Sequence, residues 1–365
     1  MKLSLLTDYL ESLAPLSYQE DYDNCGLIVG KPDQEVFQAM VSLDCTEAVV
    51  DDAIANNCQV IISHHPIVFK GLKKFNSKTY VERVVEKAIR NNIALYAIHT
   101  NLDNMHTGVN SRICETLGLT NTRILAPKHN TIKKLVTYVP LAQAEQVRNA
   151  LFHAGAGNIG NYSEASFNAE GKGTFKANEN ADPYVGEIGV RHTEDEVRVE
   201  VVYPANLESK ILMALILAHP YEEVAYDLFN LTNQNQQVGS GMIGELEYPI
   251  TEEAFLFEVK EKMKAHVIRH TAFTGKHIRK VAVCGGAGGF LLKQAIAAGA
   301  DIFITADYKY HEFFDAEGKI LIADIGHFES EQFTQQLLYE IIRKKFTTFA
   351  VRLTEINTNP VKYFI

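Results

Sequence analysis

Short apolar runs alternate with amphipathic stretches in the first and last thirds of the chain. The run VFQAMVSLD (36–44) precedes TEAVVDDAIANNC (46–58), in which apolar residues recur at helical spacing and Thr46 can cap the first turn. QVIISHH (59–65) is a continuous β-branched run, as in a strand buried on both faces. Strand and helix in turn predict parallel β-α-β crossovers. We expect the first and last thirds to share one sheet.

The pattern changes between about Pro127 and about Gly244. There are two predicted strands here, KKLVTYVP (133–140) and EVRVEVVYP (196–204), and a predicted helix follows each of them. A Gly/Asn/Ser-rich stretch occupies 155–182. This is the α+β pattern of a small ferredoxin-like unit. Because insertions are tolerated at exposed loops whose ends lie close together, we interpret 127–244 as a domain inserted into a discontinuous α/β core formed by 1–126 and 245–365.

Composition narrows the class of protein. Of 365 residues, 46% are hydrophobic and 22% charged, which is ordinary for a globular protein long enough for two folded bodies. Lys+Arg 35 against Asp+Glu 45 gives a net charge of -10, which argues against a general nucleic-acid binder. Asp8 and Glu11 interrupt the N-terminal apolar segment, so it reads as an amphipathic helix and not as a signal peptide. No apolar run is long enough to span a bilayer.

Five cysteines occur without a CxxC pair, and an odd count argues against a disulfide framework. We interpret each as a small buried hydrophobe. This cysteine usage fits a reducing cytoplasm, and we expect a cytoplasmic protein without membrane contact.

The strongest chemical motif is SHHP (63–66), which follows a predicted buried strand. In a doubly wound fold that position lies at the carboxyl edge of the sheet, where ligands bind. Neighbouring side chains on a strand point to opposite faces, so His64 and His65 can serve one site only where the strand ends and Pro66 turns the chain. The alternative is two unrelated polar residues in a loop.

Two further motifs follow predicted strands. In HTNLD (99–103), Asp103 is a hard oxygen ligand able to bridge two cations, with His99 or Asn101 orienting it, although an Asp here could also be the N-cap of the next helix. In GHFESE (326–331), His327 and Glu331 are four apart and share one face of a first helical turn. The helix dipole alone would explain an acidic residue such as Glu331 near a helix N-terminus, but it does not explain His327 at that position.

Three histidines and two carboxylates thus gather at the carboxyl ends of three predicted strands. Nitrogen and oxygen ligands without thiolate suit Zn, Mn, Fe or Mg. A pair of ions bridged by a carboxylate can lower the pKa of water and hold a phosphoryl oxygen. The sequence therefore predicts a two-metal centre with two divalent ions per chain and a set of five ligands: His64, His65, Asp103, His327 and Glu331.

These motifs together resemble the NIF-three-like family, whose members are named GTP cyclohydrolase I type 2 homologues. The segments that carry the resemblance are YDNCGLIVG (22–30), SHHP, HTNLDNMHTGVN (99–110) and GHFESE, with YDNCG standing where the family usually has WDNVG. The resemblance implies two α/β lobes, a dinuclear metal centre on the same five ligands, and a toroidal homohexamer. The inserted region is similar to the CutA and PII-type regulatory domain of the family's longer members, with HPYEEVA (219–225) as the matching stretch.

The remaining motifs give less specific indications of a functional site. GSGMIG (239–244) matches a dinucleotide fingerprint in letters but lacks the strand and helix around it. CGGAGG (284–289) lies between a predicted strand and helix, and either holds an anion on backbone N–H groups or is a tight turn that needs glycine dihedrals. HPYEEVA could bind a metal or ligand through His219 and Glu222, or pack against a neighbouring subunit. His311 is a candidate for a catalytic proton donor, or a residue of the rim.

The leading functional hypothesis is a metal-dependent, GTP cyclohydrolase-like hydrolase that acts on a nucleotide or a related small molecule. The alternative is a non-catalytic metal-binding regulatory or trafficking protein, in which the inserted domain senses a ligand. A scaffold for nucleic acid gains little from an acidic chain.

Overall fold

The computed structural model describes residues 1–364 of the chain. Backbone contacts divide these residues into two compact units, a core unit of 1–127 with 236–364 and an insert unit of 128–235. The second boundary differs from the expected 244. Residues from 236 onward belong to the core unit because Gly239–Thr251 forms a strand of a core sheet.

The first core sheet has five strands in the order β1-β4-β3-β2-β15. Their bounds are β1 (Gly26–Val29), β2 (Gln38–Ser42), β3 (Val60–Ser63), β4 (Ala94–Ala97) and β15 (Ala350–Leu353). The four strands from β4 to β15 are parallel and β1 is antiparallel to β4. All residues of β3 and β4 are buried, which explains why their sequences are continuously apolar and do not alternate.

The second core sheet has six strands in the order β11-β14-β13-β12-β10-β5. Their bounds are β5 (Thr120–Pro127), β10 (Gly239–Thr251), β11 (Arg269–His270), β12 (His277–Val283), β13 (Ile302–Thr305) and β14 (Leu321–Asp324). The central strands β12, β13 and β14 are parallel, and the three outer strands pair antiparallel. The core is therefore a mixed α/β fold with parallel and antiparallel pairing.

Nine α-helices flank these sheets in the described part of the core unit. They are α1 (Leu3–Leu13), α2 (Glu47–Ala55), α3 (Tyr80–Arg90), α4 (Thr100–Asp103), α5 (Val109–Leu117), α8 (Glu252–Lys262), α9 (Leu292–Ala297), α10 (His327–Glu331) and α11 (Thr334–Lys345). The predicted cap is confirmed, since the Thr46 side chain accepts a hydrogen bond from the backbone N–H of Val49 at 3.3 Å. Two residues, Gln332 and Phe333, separate α10 from α11 near the C-terminal end of the core unit.

The expectation of one shared sheet is wrong, because the first and last thirds build two sheets. An apolar run shows that a strand is buried but not which strand it pairs with. The two sheets nevertheless share one apolar cluster, which includes Val60 and Ile62 from β3, Ile304 from β13, and Ile113 from α5. This common core fixes the carboxyl ends of both sets of parallel strands within one unit.

The insert unit is a four-stranded antiparallel sheet in the order β7-β8-β6-β9 with two helices. Its elements are β6 (Ile132–Pro140), α6 (Ala144–Ala154), β7 (Phe167–Lys176), β8 (Arg191–Pro204), α7 (Glu208–Ala218) and β9 (Tyr226–Asn230). Along the chain they follow the β-α-β-β-α-β order of ferredoxin-like units. The helices pack on one face of the sheet, where Leu135, Val199 and Leu151 join a separate apolar cluster.

Across residues 1–364, every helix is too short or too polar to pass through a lipid bilayer.

Candidate metal centre

Two histidines emerge from the end of β3. The ladder to β2 continues past the strand, since the backbone N–H groups of His64 and His65 donate to Ser42 and Leu43 at 3.2 and 2.9 Å. The Ser63 hydroxyl donates to the His65 carbonyl at 2.8 Å and stabilises the turn. Both imidazoles consequently face one site, with ring centroids 4.9 Å apart. The chain turn at the end of the strand overcomes the alternation of side chains.

The second sheet contributes a histidine and a carboxylate from one helical turn. His327 and Glu331 are the first and last residues of α10, directly after β14, and His327 Nε2 lies 3.1 Å from Glu331 Oε2. The four-residue spacing therefore places both groups on one face of the helix, as the sequence predicts.

The Oε2 atom of Glu331 is the point on which the histidines converge. It lies 2.9 Å from His65 Nε2 and 3.9 Å from His64 Nε2. Two triads that could hold a metal ion share this carboxylate. One triad is His65, His327 and Glu331, and the other is His64, Asp103 and Glu331. Glu331, and not Asp103 as the sequence suggested, is thus the carboxylate common to both triads.

Each imidazole of the cluster is oriented through its Nδ1 atom. His64 donates to the Ile98 carbonyl at 2.8 Å, and three other histidines donate to carboxylates at 2.7 to 2.9 Å. The three pairs are His65 with Asp44, His99 with Asp23, and His327 with Asp307. A hydrogen bond at Nδ1 fixes the ring and turns the Nε2 atom toward the centre, which is the arrangement that metal-binding histidines use.

Charge in the cluster is set by burial and by the carboxylates. Burial lowers the pKa of His64 to about 3, so this ring is neutral near pH 7. Burial alone would also lower the pKa of His65, but hydrogen bonds to Asp44 and Glu331 raise it to about 10. The pKa of His327 is raised to about 11, against burial, by Glu331 and Asp307. Without a metal ion, the protons on the His65 and His327 rings thus balance the negative charge of Glu331. A bound divalent cation would take over this role and displace these protons.

The facing atoms of His64 and Asp103 have no such hydrogen bond. Because His64 donates through Nδ1, the Nε2 atom of its neutral ring is an acceptor, and it faces Asp103 Oδ1 at 3.5 Å. Both atoms are buried without a hydrogen-bond partner among the described residues. Burial and the Glu331 charge raise the pKa of Asp103. An unsatisfied buried polar group costs roughly 1–3 kcal/mol, and a cation between the two acceptors would remove that cost. These residues fit a metal ion.

A cleft of about 880 Å³ opens onto the cluster. Its walls include Tyr22, Phe69 and Phe290, together with the guanidinium group of Arg269. No other Lys or Arg lines the cleft within the described part of the chain. A small molecule with an unsaturated ring and an anionic group would match these walls.

Comparison with known proteins identifies the family of this chain. The family model described as Duf34/NIF3 (NGG1p interacting factor 3) matches residues 1–360. The chain belongs to the Duf34/NIF3 family. It is 37% identical over 363 residues to the Bacillus subtilis protein named GTP cyclohydrolase 1 type 2 homolog, covering 97% of this chain and 96% of that one. A Staphylococcus epidermidis protein of the same name is 35% identical and is covered completely.

Solved structures of this family have the same fold. A crystal structure of a Bacillus cereus protein related to NIF3 superposes with a TM-score of 0.84 at 38% identity, covering 100% of this chain and 99% of that one. A Staphylococcus aureus protein gives a TM-score of 0.80 at 29% identity over the same shares.

The remaining candidates occupy different places. His311 lies exposed on the turn Tyr310–Ala316, with its ring against Phe314, and it does not line the cleft. His99 does line the cleft, and its ring centroid is 5.2 Å from those of His64 and His65. Asn101 is buried and donates to the Ala14 carbonyl at 2.7 Å, so it stabilises the loop. The sequence suggested His99 or Asn101 as the residue that orients Asp103, whereas in the structure His99 lies in the histidine cluster itself.

The backbone N–H groups of the glycine-rich loop CGGAGG donate hydrogen bonds to side chains of the protein itself. Backbone N–H groups of Gly285, Gly286 and Gly288 donate to side chains of Asn110, Ser330 and Thr305 at 2.9 to 3.0 Å. Gly286 has a φ of +62, which favours glycine. The turn interpretation of this loop therefore holds in preference to an anion site.

Three carboxylates that orient the imidazoles were not assigned to the site from the sequence. Asp23 lies in the YDNCG segment but was given no role there, and Asp44 and Asp307 are single acidic residues in loops. One signal was present for Asp44 and Asp307, because each lies two residues beyond a buried strand, β2 and β13, at the edge where ligands collect.

Proposed function

We propose that this protein is a metal-dependent hydrolase with two divalent ions per chain, acting on a nucleotide or a related small molecule. The ligands would be His64, His65, Asp103, His327 and Glu331. The observation that carries the proposal is the buried pair of atoms His64 Nε2 and Asp103 Oδ1, which lie 3.5 Å apart and have no hydrogen-bond partner among the described residues. Ions held there would lower the pKa of water and polarise the bond under attack.

His99 is the side chain best placed to move a proton in this reaction. Its Nδ1 atom donates to Asp23 Oδ1 at 2.9 Å, while the ring lines the cleft beside His64 and His65. A histidine whose Nδ1 is held by a buried carboxylate keeps Nε2 available to accept and return a proton. His99 would take the proton of the attacking water and return it to the leaving group.

Two features of the cleft support a nucleotide-like substrate. The rings of Tyr22, Phe69 and Phe290 offer faces for a base. Arg269 pairs with Asp324 through Nη2, and the other N–H groups of its half-exposed guanidinium could bind a phosphate. Curated relatives bear the name GTP cyclohydrolase 1 type 2 homolog. That name motivates GTP as the first substrate to test.

Elemental analysis joined to an activity assay tests the proposal. Purified protein and the Asp103→Ala and Glu331→Ala variants are analysed for metal, and the same samples are assayed against GTP and a panel of phosphoesters. We expect about two ions per chain, lost in both variants together with hydrolysis. Protein without metal would refute the site, and metal-loaded protein inert toward the whole panel would refute the hydrolase.

The second candidate is a non-catalytic regulatory or trafficking protein that binds metal. The observation in its favour is the position of His311, because the histidine considered as a proton donor from sequence lies outside the cleft. This alternative expects Asp103→Ala to remove metal without loss of any turnover.

We also propose that the insert unit is a CutA/PII-like domain and that the protein forms a toroidal homohexamer. The β-α-β-β-α-β order of the insert unit supports the first part. Light scattering of the purified full chain tests the second, and a monomer would refute it.

A further inference from the structure

The insert unit contains a cavity of about 650 Å³ that is separate from the metal centre. Along β8, Val197, Val199 and Val201 join the apolar cluster beneath the two helices, whereas Glu196 and Arg198 line the cavity. Since side chains alternate along a strand, the cavity lies on the face of the sheet opposite to the helices. Every residue that lines it belongs to the insert unit.

A buried carboxylate forms the floor of this cavity. Glu196 is only 8% exposed, and its Oε1 atom accepts a hydrogen bond from the Tyr221 hydroxyl at 3.0 Å. A Cβ built at Gly173 would lie 2.0 Å from Glu196 Oε2, so the carboxylate rests against a backbone where only glycine fits. Gly171 lies directly opposite Glu196 in the strand pairing, and a Cβ there would meet nothing within 4 Å. Gly173 therefore makes room for the carboxylate, and Gly171 leaves open space beside it.

Aromatic rings form the walls. The Tyr221 ring lies 5.9 Å from that of Phe175 and 6.2 Å from that of Tyr184, measured between centroids. His219 holds Tyr221 in place, because its Nδ1 accepts the backbone N–H of Tyr221 at 3.1 Å and its Nε2 donates to the Tyr138 carbonyl at 3.0 Å. Both ring nitrogens are thus engaged within the protein. The HPYEEVA segment positions a wall of the cavity, and His219 is not available as a metal ligand.

Charges around the cavity favour a cation. Glu222 and Glu223 also line it, adding negative charge to that of Glu196. Two of the three basic residues in the lining are already paired, Lys172 with Asp195 at 2.7 Å and Arg198 with Glu200 at 2.9 Å. The third, Lys176, is exposed at the end of β7.

We propose that this cavity binds a small organic cation, an ammonium or amidinium group on a flat apolar body. The cationic head would pair with Glu196, and the body would pack among Tyr138, Phe175 and Tyr221. A carboxylate supplies charge-assisted hydrogen bonds, and aromatic faces within about 6 Å attract a cation through their quadrupoles. The site does not depend on the metal centre or on hydrolysis.

Three probes of one shape and different charge test this proposal on the full chain by calorimetric titration. Phenethylamine is expected to bind, 2-phenylethanol to bind at least tenfold more weakly, and phenylacetate not to bind. Glu196→Gln removes the charge at nearly constant shape and should weaken phenethylamine roughly 10- to 100-fold. Glu145→Gln is the matched control, because this exposed carboxylate on α6 pairs with Arg148, neither residue lines the cavity, and its loss should leave binding unchanged.

A second variant covers the case in which Glu196→Gln does not fold. Gly171→Leu fills the open space, at a position where a Cβ meets nothing within 4 Å and whose backbone does not require glycine, and should abolish binding. Thermal melting without ligand verifies that each variant is folded. The proposal is overturned if phenethylamine fails to bind the parent protein, if phenylacetate binds as tightly, or if either folded variant binds phenethylamine like the parent.

Discussion

The backbone of Gly286 lies directly against the carboxylate of Glu331. A Cβ built at Gly286 would stand 2.5 Å from Glu331 Oε1 and 3.2 Å from His327 Cε1. Real Cβ atoms do not approach so closely, so the glycine leaves the space in which Glu331 takes its place between the two triads. One position in the glycine-rich loop thereby controls the geometry of a carboxylate 45 residues later in the chain.

Gly286→Ala is therefore expected to remove metal although all five proposed ligands remain. Gly299→Ala is the matched control, since Gly299 has a similar φ of +74 but a Cβ there meets nothing within 4 Å. Both variants pay about 1–2 kcal/mol for a side chain in the left-handed region. Only the first displaces Glu331, so elemental analysis should find metal in Gly299→Ala and little in Gly286→Ala. Equal metal content in both would contradict this.

The carboxylates behind the histidines should set metal affinity. Asp44→Asn keeps the size of the group that holds His65 Nδ1 but removes its charge, and we expect Zn²⁺ affinity to fall roughly 10- to 100-fold. Competition with a chromophoric chelator measures the dissociation constant. Asp51→Asn serves as the control, because Asp51 is exposed and pairs only with Lys87 at 2.8 Å. An unchanged constant in Asp44→Asn would show that the orientation of His65 does not matter.

Motifs in the sequence predicted the cluster better than they predicted the sheets. His64 with His65, and His327 with Glu331, are close in sequence and follow buried strands, so local spacing alone places each pair. The assignment of all strands to one sheet failed because pairing depends on contacts that are distant in sequence. β7 and β9 were missed because their residues are mostly exposed and carry no apolar alternation.

Substitutions of His99 and of His311 should have different effects on kcat. If His99 transfers a proton, His99→Gln is expected to keep the metal content and lower kcat by roughly 10²- to 10⁴-fold. His311→Gln should leave kcat unchanged, because His311 lies outside the cleft. Elemental analysis accompanies the assays, which use whichever substrate of the panel the parent protein hydrolyses. Loss of metal in His99→Gln would instead identify His99 as a ligand, as its place beside His64 and His65 also allows.

His219 should make the insert unit sensitive to acid. Burial is the main cause that lowers its pKa below the ordinary value of 6.5, with the hydrogen bond to Tyr138 and the charge of Glu196 acting in the opposite direction. The folded protein thus binds fewer protons than the unfolded chain at this site. Its stabilising contribution is complete above pH 6.5 and is lost as pH falls from there through the folded pKa.

Two measurements test this sign. The ring-proton NMR titration of His219, assigned with the His219→Gln variant, should give a pKa below 6.5. Between pH 7 and pH 5, the thermal midpoint of the parent protein should fall further than that of His219→Gln, because glutamine keeps a donor and an acceptor but does not titrate in this range. A pKa at or above 6.5 would mean that protonated His219 is accommodated in the folded unit, in which case the ring could not hold Tyr221 by accepting its backbone N–H at Nδ1.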